Sequence, residues 1–366
     1  MSHLAEGLEA REFKVSIIAP LPNYPRGKIF SGYRGQFKKT TIEQGMTIHR
    51  LWLYASNSKN KIKRLLSMLS FSFSLAWYSA FNKVPDTIIV QSPPLIVAFS
   101  AVLFFKSKKS KLILNVSDLW PLAGLELNAM RRNFWYSMLE RIERYNYRKS
   151  DLILGQSEEI IHHIKSIYTD KDTQLYRNYP NFKPTINTEY TIPTHKIKLV
   201  YAGLLGVAQG VLKLCQNLDY SKIEFHIYGA GAEKEAIDYF LKNNQDLPIM
   251  FHGEVERADL HKILPAYDLA IIPLLNRIYG SVPSKIFEFS KLGIPLLYFG
   301  GGEGEALVKS FNLGWVAEAA NYKALNSVIS QIELGMLSNS RRDQIKETAD
   351  NNFDFNSQLD TIVDFI

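Results

Sequence analysis

A short segment in the second half of the chain holds the residues whose types and spacing are best suited to chemistry. Pro283 fits the first turn of a helix that Ser281 or Val282 caps, and the amide N–H groups of such a turn attract an anion. Lys285 adds a point charge for a phosphate. Glu288 follows on the same helical face, where its carboxylate can accept hydrogen bonds from two ribose hydroxyls. Taken alone, the segment is better explained by a solvated helix cap with an incidental ion pair.

Three further loops in the same half place glycine directly after a predicted strand. Glycine lets the backbone approach a ligand closely, and the loops that follow parallel strands meet at one edge of the sheet. One such loop is an ordinary turn, but four at successive strand ends favour a pocket for a nucleotide phosphate. Its candidate residues are Gly203, Gly206, Gln209, Gly210, Gly229, Gly231, Glu254, Val255, Gly280, Ser281 and Ser284.

The elements that must position these residues follow from an alternation of short β-branched runs and amphipathic segments, which is typical of parallel sheets covered by helices. The predicted strands are 13–19, 47–53, 87–91, 111–116, 152–155, 198–201, 224–228, 249–251, 269–272 and 295–298, with helices over 134–148 and 307–311. A polar stretch rich in proline and threonine, 178–195, interrupts the alternation. The sequence therefore predicts an α/β protein of two domains that meet near residue 190.

Composition and length exclude several classes of protein. A chain of 366 residues with 46% hydrophobic and 22% charged residues is long enough for two folded domains and is not disordered. The single cysteine, Cys215, rules out an internal disulfide framework and fits a buried apolar position in a reducing cytoplasm. The N-terminus has no signal pattern and no uncharged apolar run reaches about 18 residues, so we expect neither secretion nor a membrane span.

The charge is unevenly distributed along the chain. Residues 1–190 hold 27 basic and 15 acidic residues, whereas residues 191–366 hold 16 basic and 21 acidic residues. We therefore expect the first half to meet an anionic partner, which is nucleic acid, phospholipid or a phosphorylated substrate. Nucleic acid is the weakest of the three, because the sequence has no zinc-finger, RNA-recognition or basic-zipper pattern.

One stretch of the basic half is compatible with a membrane surface. Four basic residues open it: Lys59, Lys61, Lys63 and Arg64. The run 65–81 that follows holds no charge. It is either a buried crossover helix after a solvated basic turn or an interfacial helix, with the cations at lipid headgroups and Leu66, Phe73 and Trp77 immersed. The basic balance of the domain favours the interfacial helix.

A second group in the same half is a candidate site for a lipid-linked diphosphate acceptor. Its residues lie in the loop after the first predicted strand and are Arg26, Lys28, Tyr33 and Arg34. Cations and a hydroxyl in one loop suit a diphosphate. Ordinary exposure in a surface loop explains the four residues equally well.

Longer runs of residues resemble a known family. The second half resembles the donor-binding domain of family 4 of the retaining glycosyltransferases, which have the GT-B fold. In the first half the resemblance rests on 23–28, 91–94, 115–121 and 155–159, which are most similar to a bacterial surface-polysaccharide branch that includes N-acetylfucosaminyl transferases. The runs Asn-Val-Ser-Asp-Leu-Trp-Pro at 115–121 and Val-Pro-Ser-Lys-Ile-Phe-Glu at 282–288 are specific, whereas the glycine loops are generic.

The resemblance implies two Rossmann-like domains with parallel sheets that face a cleft. Residues 1–190 would bind the acceptor, 191–345 would bind the nucleotide sugar, and 346–366 would form a C-terminal helix that packs back on the first domain. The implied reaction moves an N-acetylated deoxyhexosamine from a UDP-linked donor to a polyprenyl-diphosphate-linked acceptor, with retention, in O-antigen or capsule synthesis. Such an enzyme would work in the cytoplasm, on the inner face of the cytoplasmic membrane.

The same resemblance implies roles for individual residues. Glu288 would hold the ribose, and Asp118 would approach the donor sugar or the acceptor. The residues beside the diphosphate would be Gly206, Gln209, Gly210, Ser284 and Lys285. No metal and no other cofactor is expected, and the eight histidines, including the adjacent His162 and His163, lack ligand spacing.

The sequence departs from the family's pattern in two places. The family's first glutamate, eight positions before the second, is Gly280 here, so backbone amides or Tyr279 must hold the sugar. The family's first strand and glycine-rich loop would precede Met1, about thirty residues in all. The helix tail at 4–12 leads directly into the strand 13–19, so either the chain begins late or something else fills the middle of the sheet. In the first case a longer chain would be more stable and more active.

Three functions remain open from the sequence. The first is the glycosyltransferase. The second is a nucleotide-sugar epimerase, which shares the fold but has no need of a basic, membrane-facing half. The third is a truncated, non-catalytic subunit that keeps the donor site and pairs with an active enzyme.

Overall fold

The computed structural model describes residues 2–24, 26–58, 60–182, 190 and 195–366. The chain divides into two units, Met1–Arg177 with Asn356–Ile366 and Asn178–Phe355. The division falls earlier than residue 190 because Tyr179 already packs edge-on against Phe287, with ring centroids 5.0 Å apart. The hydroxyl of Tyr190 donates to Asp268 at 2.7 Å, which places Tyr190 with the second unit as well.

The strands are β1 (Ser16–Pro20), β2 (Lys38–Glu43), β3 (Met46–Leu51), β4 (Thr87–Ser92), β5 (Lys111–Val116), β6 (Leu152–Gly155), β7 (Thr173–Leu175), β8 (Ile197–Ala202), β9 (Ile223–Tyr228), β10 (Ile249–Gly253), β11 (Leu269–Pro273), β12 (Leu296–Phe299) and β13 (Gly314–Ala317). The helices are α1 (Ser2–Glu9), α2 (Lys61–Phe81), α3 (Leu95–Phe105), α4 (Leu122–Glu126), α5 (Phe134–Lys149), α6 (Glu158–Ile167), α7 (Val211–Asn217), α8 (Lys234–Lys242), α9 (Arg257–Ile263), α10 (Lys285–Lys291), α11 (Glu303–Ser310), α12 (Tyr322–Gln331), α13 (Asn339–Asn352) and α14 (Phe355–Val363). Short 3₁₀ turns lie at Ser31–Tyr33, Leu264–Ala266 and Leu334–Leu337.

Polar side chains set the starts of several helices in the first unit. The side chain of Asn60 accepts from the amide of Ile62 at 2.8 Å, at the start of α2. Ser157 does the same for Ile160 at the start of α6, and Asn133 caps α5. Each cap satisfies an amide that has no partner within the helix, so the sequence specifies where these helices begin.

The sheet of the second unit is parallel and has the order β10-β9-β8-β11-β12-β13. Successive residues of β8 point to opposite faces, so that Leu199 packs into one buried apolar cluster and Val200 into another. Ile271 and Ile272 of β11 divide in the same way. Both faces are therefore covered by helices, which is why these strands read as continuous apolar runs.

The first unit has two separate sheets, with orders β1-β3-β2 and β4-β5-β6-β7. All pairings are parallel except that of β2 with β3. Within the described ranges β1 pairs with β3 alone and β4 with β5 alone. Ile18 of β1 and Ile88 of β4 pack against the same buried cluster, which includes Leu51 and Leu75. Each sheet thus has an edge strand that borders this common core.

The end of the chain differs from the predicted helix over 346–366. It consists of α13, which belongs to the second unit, and α14, most of which belongs to the first. The break lies at Phe353, which is buried among apolar residues of the second unit. Beyond it, the side chain of Gln358 accepts from the amide of Arg177 and donates to its carbonyl, at 2.6 and 2.9 Å. Burial of Phe353 thus ends one helix, and hydrogen bonds to the first unit fix the next.

Candidate functional site

The loops after β8, β9 and β10 are joined to one another at one edge of the second unit's sheet. The amide of Gly203 donates to the carbonyl of Tyr228 at 3.0 Å, and the amide of Gly229 donates to the carbonyl of Gly253 at 2.7 Å. Since β8, β9 and β10 are neighbours and parallel, their carboxyl ends must meet there. The structure therefore brings together the predicted loops that contain Gly203, Gly229 and Gly253.

Gly229 and Gly231, in the loop after β9, have a backbone that leaves no room for a side chain. Gly229 has φ +145°, and a Cβ at this position would lie 1.9 Å from the carbonyl oxygen of Gly203. Gly231 has φ +156°, with a Cβ position 2.4 Å from the carbonyl oxygen of Leu205. Because that space is occupied by backbone atoms, a side chain would push the loops apart.

The other predicted residues of these loops are Gly206, Gln209 and Gly210 after β8, and Glu254 and Val255 after β10. Gly210 has φ +60° and caps α7, and its amide and that of Gln209 both donate to the carbonyl of Gly206. Glu254 is exposed, whereas Val255 is partly buried against the apolar core. They stand just before α9, so the loop they form leads into the helix that contacts Glu288.

The segment after β11 begins its helix later than the sequence predicts. Ser284, not Ser281 or Val282, is the cap residue of α10, and it makes no capping hydrogen bond through its side chain. The predicted cap is therefore wrong. The amide of Ser281 closes a turn with the carbonyl of Ile278 at 3.0 Å, which holds Ser281 outside the helix. Gly280, where the family has its first glutamate, is buried with φ +86°.

Glu288 is the centre of a charged cluster formed by α9 and α10. It is 3% exposed. Its Oε1 lies 2.6 Å from Nε2 of His261 and 3.4 Å from Nε of Arg257, and its Oε2 lies 2.9 Å from Nζ of Lys285. Phe182 stacks on the His261 ring, with centroids 4.1 Å apart. Two cations, Lys285 and Arg257, and the imidazole of His261 thus surround one buried carboxylate.

The cluster keeps Glu288 ionised. Burial is the largest influence and raises the pKa of this carboxyl. The hydrogen bond from His261, the charge and hydrogen bond of Lys285 and the charge of Arg257 outweigh it and lower the pKa from 4.5 to about 2. The carboxylate is therefore an acceptor at physiological pH.

This pKa predicts a dependence of stability on pH. Because the folded pKa is below the unfolded one, Glu288 contributes its full stabilisation above about pH 5 and loses it as the pH falls towards 2. We expect the loss to be up to about 3 kcal/mol, and the Glu288→Gln variant to lack it. Urea unfolding of both proteins from pH 7 to pH 3 measures it. Parallel curves for the two proteins would show that Glu288 is not stabilised in this way.

Sequence reasoning missed several residues in this region. His261 and Arg257 lie on a helix with no signal beyond a basic last turn, and only the packing of α9 on α10 shows their role. Gly302 was detectable, since the run 300–302 follows the predicted strand 295–298 directly. It has φ +75°, and Nε of Arg277 lies 2.8 Å from where its Cβ would be.

Asp118 lies in the first unit, directly after β5. It is partly buried, and burial raises the pKa of its carboxyl. The adjoining strand ends are tied together, since Asn115 donates to the side chain of Gln91 at 2.7 Å and Gln91 donates to Ser117 at 2.9 Å. These bonds give the backbone before Asp118 a fixed position.

The structure places the predicted acceptor residues in one loop, after β1. Arg26, Lys28 and Arg34 are exposed, and Nε of Arg34 donates to the carbonyl of Ile29 at 3.2 Å. The ring of Tyr33 lies beneath two cations of β2 and β3, with Nζ of Lys39 4.3 Å and the guanidinium of Arg50 5.9 Å from its centroid. Tyr33 therefore stabilises the loop, and the three cations are what it presents to solvent.

No helix in the ranges that the structure covers is both long and apolar enough to cross a bilayer. Across the same ranges, no three His, Cys, Asp or Glu residues are arranged to hold a metal ion.

Two family profiles match the sequence. The profile described as a glycosyl transferase 4-like domain matches residues 1–173, and that described as glycosyl transferases group 1 matches residues 182–351. A probable glycosyltransferase of Pseudomonas aeruginosa, WbjE, is 23% identical over 301 residues, which are 76% of this chain and 74% of that protein. The two profiles together cover nearly the whole chain.

Solved structures agree in fold. Sucrose-phosphate synthase from Thermosynechococcus elongatus has a TM-score of 0.75 at 13% identity, over 99% of this chain and 90% of its own. Anabaena HepE in complex with UDP and glucose has a TM-score of 0.66 at 14% identity, over 96% of this chain and 99% of its own. The protein is therefore a glycosyltransferase of the GT-B fold, with a first domain of the glycosyl transferase 4-like family and a second of glycosyl transferases group 1.

Proposed function

We propose that this glycosyltransferase takes its sugar from a UDP-linked donor held by the second unit. The buried carboxylate of Glu288, which lies beside the glycine loops and contacts Lys285, Arg257 and the imidazole of His261, is the observation that carries the proposal. Such a site offers an acceptor for ribose hydroxyls and positive charge for a diphosphate. The complex of Anabaena HepE with UDP supports the choice of nucleotide.

We infer that donor binding redistributes the contacts of Glu288. The side chain of Lys285 is 30% exposed, whereas that of Glu288 is 4% exposed. A diphosphate can therefore draw Lys285 away from Oε2, which is then free to accept from a ribose hydroxyl. His261 keeps its bond to Oε1 and holds the carboxylate in place. Lys285 and Arg257 neutralise the leaving diphosphate, and the proposed reaction uses no metal or other cofactor.

The finer assignments rest on the resemblance of the first half. We propose an N-acetylated deoxyhexosamine as the donor sugar and a polyprenyl-diphosphate-linked sugar as the acceptor, in bacterial O-antigen or capsule synthesis on the inner face of the cytoplasmic membrane. The exposed cations Arg26, Lys28 and Arg34 support an anionic acceptor. In the proposed retaining step, the acceptor hydroxyl attacks the anomeric carbon on the side of the leaving diphosphate. The bond from that carbon to the phosphate oxygen breaks, and this oxygen takes the hydroxyl proton.

Labelled UDP-sugars, incubated with the purified protein with and without a polyprenyl-diphosphate-linked acceptor, test this function. Transfer to the acceptor would support the proposal. Isomerisation of the sugar without acceptor would show an epimerase, and binding without any reaction would show a donor-binding subunit. Either of these results would overturn it.

Asp118 is predicted to act in the transfer step and not in donor binding. We expect Asp118→Asn to lower the rate of transfer by at least about 100-fold, because it removes a carboxylate that is proposed to orient the donor sugar or the acceptor for the reaction. The affinity for UDP, measured by calorimetry, should not change. Asp86→Asn, which alters an exposed carboxylate just before β4, is the matched control. A normal transfer rate in Asp118→Asn would remove Asp118 from the site.

A further inference from the structure

Helix α2 exposes a row of apolar side chains. After its basic start, five large apolar side chains are between 39% and 73% exposed and are spaced three or four positions apart: Leu66, Leu69, Phe73, Trp77 and Phe81. This spacing places them on one helical face. At 1.5 Å per residue the row is about 22 Å long. We call it the α2 stripe.

The opposite face of α2 is buried and apolar, since Phe71, Leu75 and Tyr78 pack into the cluster that includes Leu51. Three serines of the helix bond to neighbouring elements. Ser74 Oγ donates to the carbonyl of Trp52 at 2.7 Å. Ser72 Oγ accepts from Ser100 Oγ at 2.7 Å, and Ser70 Oγ accepts from a backbone amide at 2.8 Å. Rotation of the helix to bury the stripe would expose these apolar side chains and would leave the hydroxyls of Ser72 and Ser74 without their partners. The outward apolar face is therefore a fixed feature of the fold.

A second exposed apolar group opens helix α5. Phe134 and Trp135 are 73% and 63% exposed and pack edge to face, with centroids 5.7 Å apart. Arg131 and Arg132 precede them and are also exposed. The Asn133 side chain accepts from a backbone amide at 3.0 Å and so fixes the turn. We call these four side chains, Arg131, Arg132, Phe134 and Trp135, the α5 corner.

Both features belong to one layer of helices. α2 packs against α3, and α3 packs against α5. α3 and α5 each follow a strand of the parallel sheet β4-β5-β6-β7, so both begin at its carboxyl edge. α2 ends shortly before β4 begins, so its C-terminus lies at the amino edge of the sheet. Its N-terminus, with Lys63 and Arg64, therefore lies towards the carboxyl edge. The basic start of α2 and the α5 corner thus stand at one end of the layer, about 20 Å apart at usual helix spacings.

The charged residues in the sequence around the α2 stripe and the α5 corner are almost all basic. Residues 44–117 contain ten lysines and arginines and a single acid, Asp86. The α5 corner adds two arginines, and no acid lies between Glu126 and Glu140. A surface that is both apolar and basic matches a bilayer interface, where acyl chains lie a few ångströms below anionic headgroups. A second copy of this chain would match the stripe but would bring like charges together.

We propose that the α2 stripe and the α5 corner form a docking face for an anionic lipid bilayer. α2 lies in the plane of the interface, Phe134 and Trp135 insert beside it, and Lys63, Arg64, Arg131 and Arg132 meet the headgroups. Lys59 and the side chain of Lys61, which the sequence assigns to the same role, lie outside what the structure describes. This inference rests on the proposed function in one respect, because the proposed lipid-linked acceptor would reach the protein from the membrane that this face binds.

Cosedimentation with phosphatidylcholine vesicles, with and without phosphatidylglycerol, tests the docking face. We expect the wild type to bind only the anionic vesicles and to be released by high salt. Phe134→Ser with Trp135→Ser, and separately Leu69→Ser with Phe73→Ser, should each weaken binding at least about tenfold, since each removes two inserted apolar side chains. Arg131→Ser with Arg132→Ser should weaken it at least about fivefold and reduce its salt dependence. The control is Tyr239→Ser, an equally exposed aromatic (72%) in the second unit, and it should bind like the wild type.

The assay contains neither donor nor acceptor, so its result is separate from that of the transfer assay. Wild-type binding by all three double variants would overturn the proposal. So would a wild type that sediments as a dimer without vesicles and becomes a monomer in Leu69→Ser with Phe73→Ser, because the face would then join two copies. Circular dichroism spectra and urea midpoints like those of the wild type confirm that the variants are folded, so that their loss of vesicle binding supports the proposal.

Discussion

Alanine at Gly229 is expected to destabilise the second unit by roughly 2–5 kcal/mol. The backbone there has φ +145°, which L-residues rarely adopt, and this strain contributes about 1–2 kcal/mol. The new Cβ would lie 1.9 Å from the carbonyl oxygen of Gly203, so two loops must separate, at a further cost of about 1–3 kcal/mol. Since those loops border the candidate donor site, UDP binding should be lost as well.

Gly253→Ala is the matched control. Gly253 follows the neighbouring strand and has φ +75°, but nothing lies within 4 Å of its Cβ position. Alanine there adds only the backbone strain of about 1–2 kcal/mol. The midpoints of urea unfolding, with UDP affinity measured by calorimetry, compare the two variants. Equal midpoints for Gly229→Ala and Gly253→Ala would show that the close approach of the loops does not decide the cost.

Glu288→Ala and Lys285→Ala are each expected to weaken UDP binding by about 1.5–3 kcal/mol, or roughly 10- to 150-fold. Glu288→Ala removes the proposed ribose acceptor, and it leaves Lys285 and Arg257 without their anion and His261 without its hydrogen-bond partner. Lys285→Ala removes a charge that the diphosphate would otherwise meet. Neither side chain is part of the apolar core, so both variants should remain folded.

Calorimetry with uridine and with UDP separates the two roles. Glu288→Ala should weaken both ligands, because both carry the ribose, whereas Lys285→Ala should weaken UDP and leave uridine unchanged. Lys309→Ala is the matched control, since Lys309 forms an ion pair with Glu305 on the exposed surface of α11. Unchanged affinity of both variants for UDP would remove the main assignment of the donor site. Equal losses of uridine and UDP in Lys285→Ala would show that Lys285 does not act through the phosphates.

Each of the ten predicted strands has a counterpart in the structure. β1 and β10 hold no buried residue, whereas six of the ten are apolar runs buried along most of their length, namely β5, β6, β8, β9, β11 and β12. The strands that were missed lack that signal. β2 is the polar sequence Lys-Lys-Thr-Thr-Ile-Glu, and its side chains are not buried. It exists as a strand because β3 turns back on it. β7 has three residues and β13 opens with Gly314, so neither has enough pattern to recognise.

The sequence by itself determined the fold class and the loops of the candidate donor site, because glycine at the end of a predicted strand is a local signal. It also singled out Glu288 and Lys285, whose spacing along one helix is local too. Only the tertiary structure brought His261 and Arg257 to Glu288, since the packing of α9 on α10 depends on residues far apart in sequence. The same reason applies to α2, where the sequence left a buried helix and an interfacial helix open. Which face of α2 is buried was decided by the packing of Phe71, Leu75 and Tyr78 into a core built from distant elements, together with serine hydroxyls that bond to those elements, and this turned the α2 stripe outward.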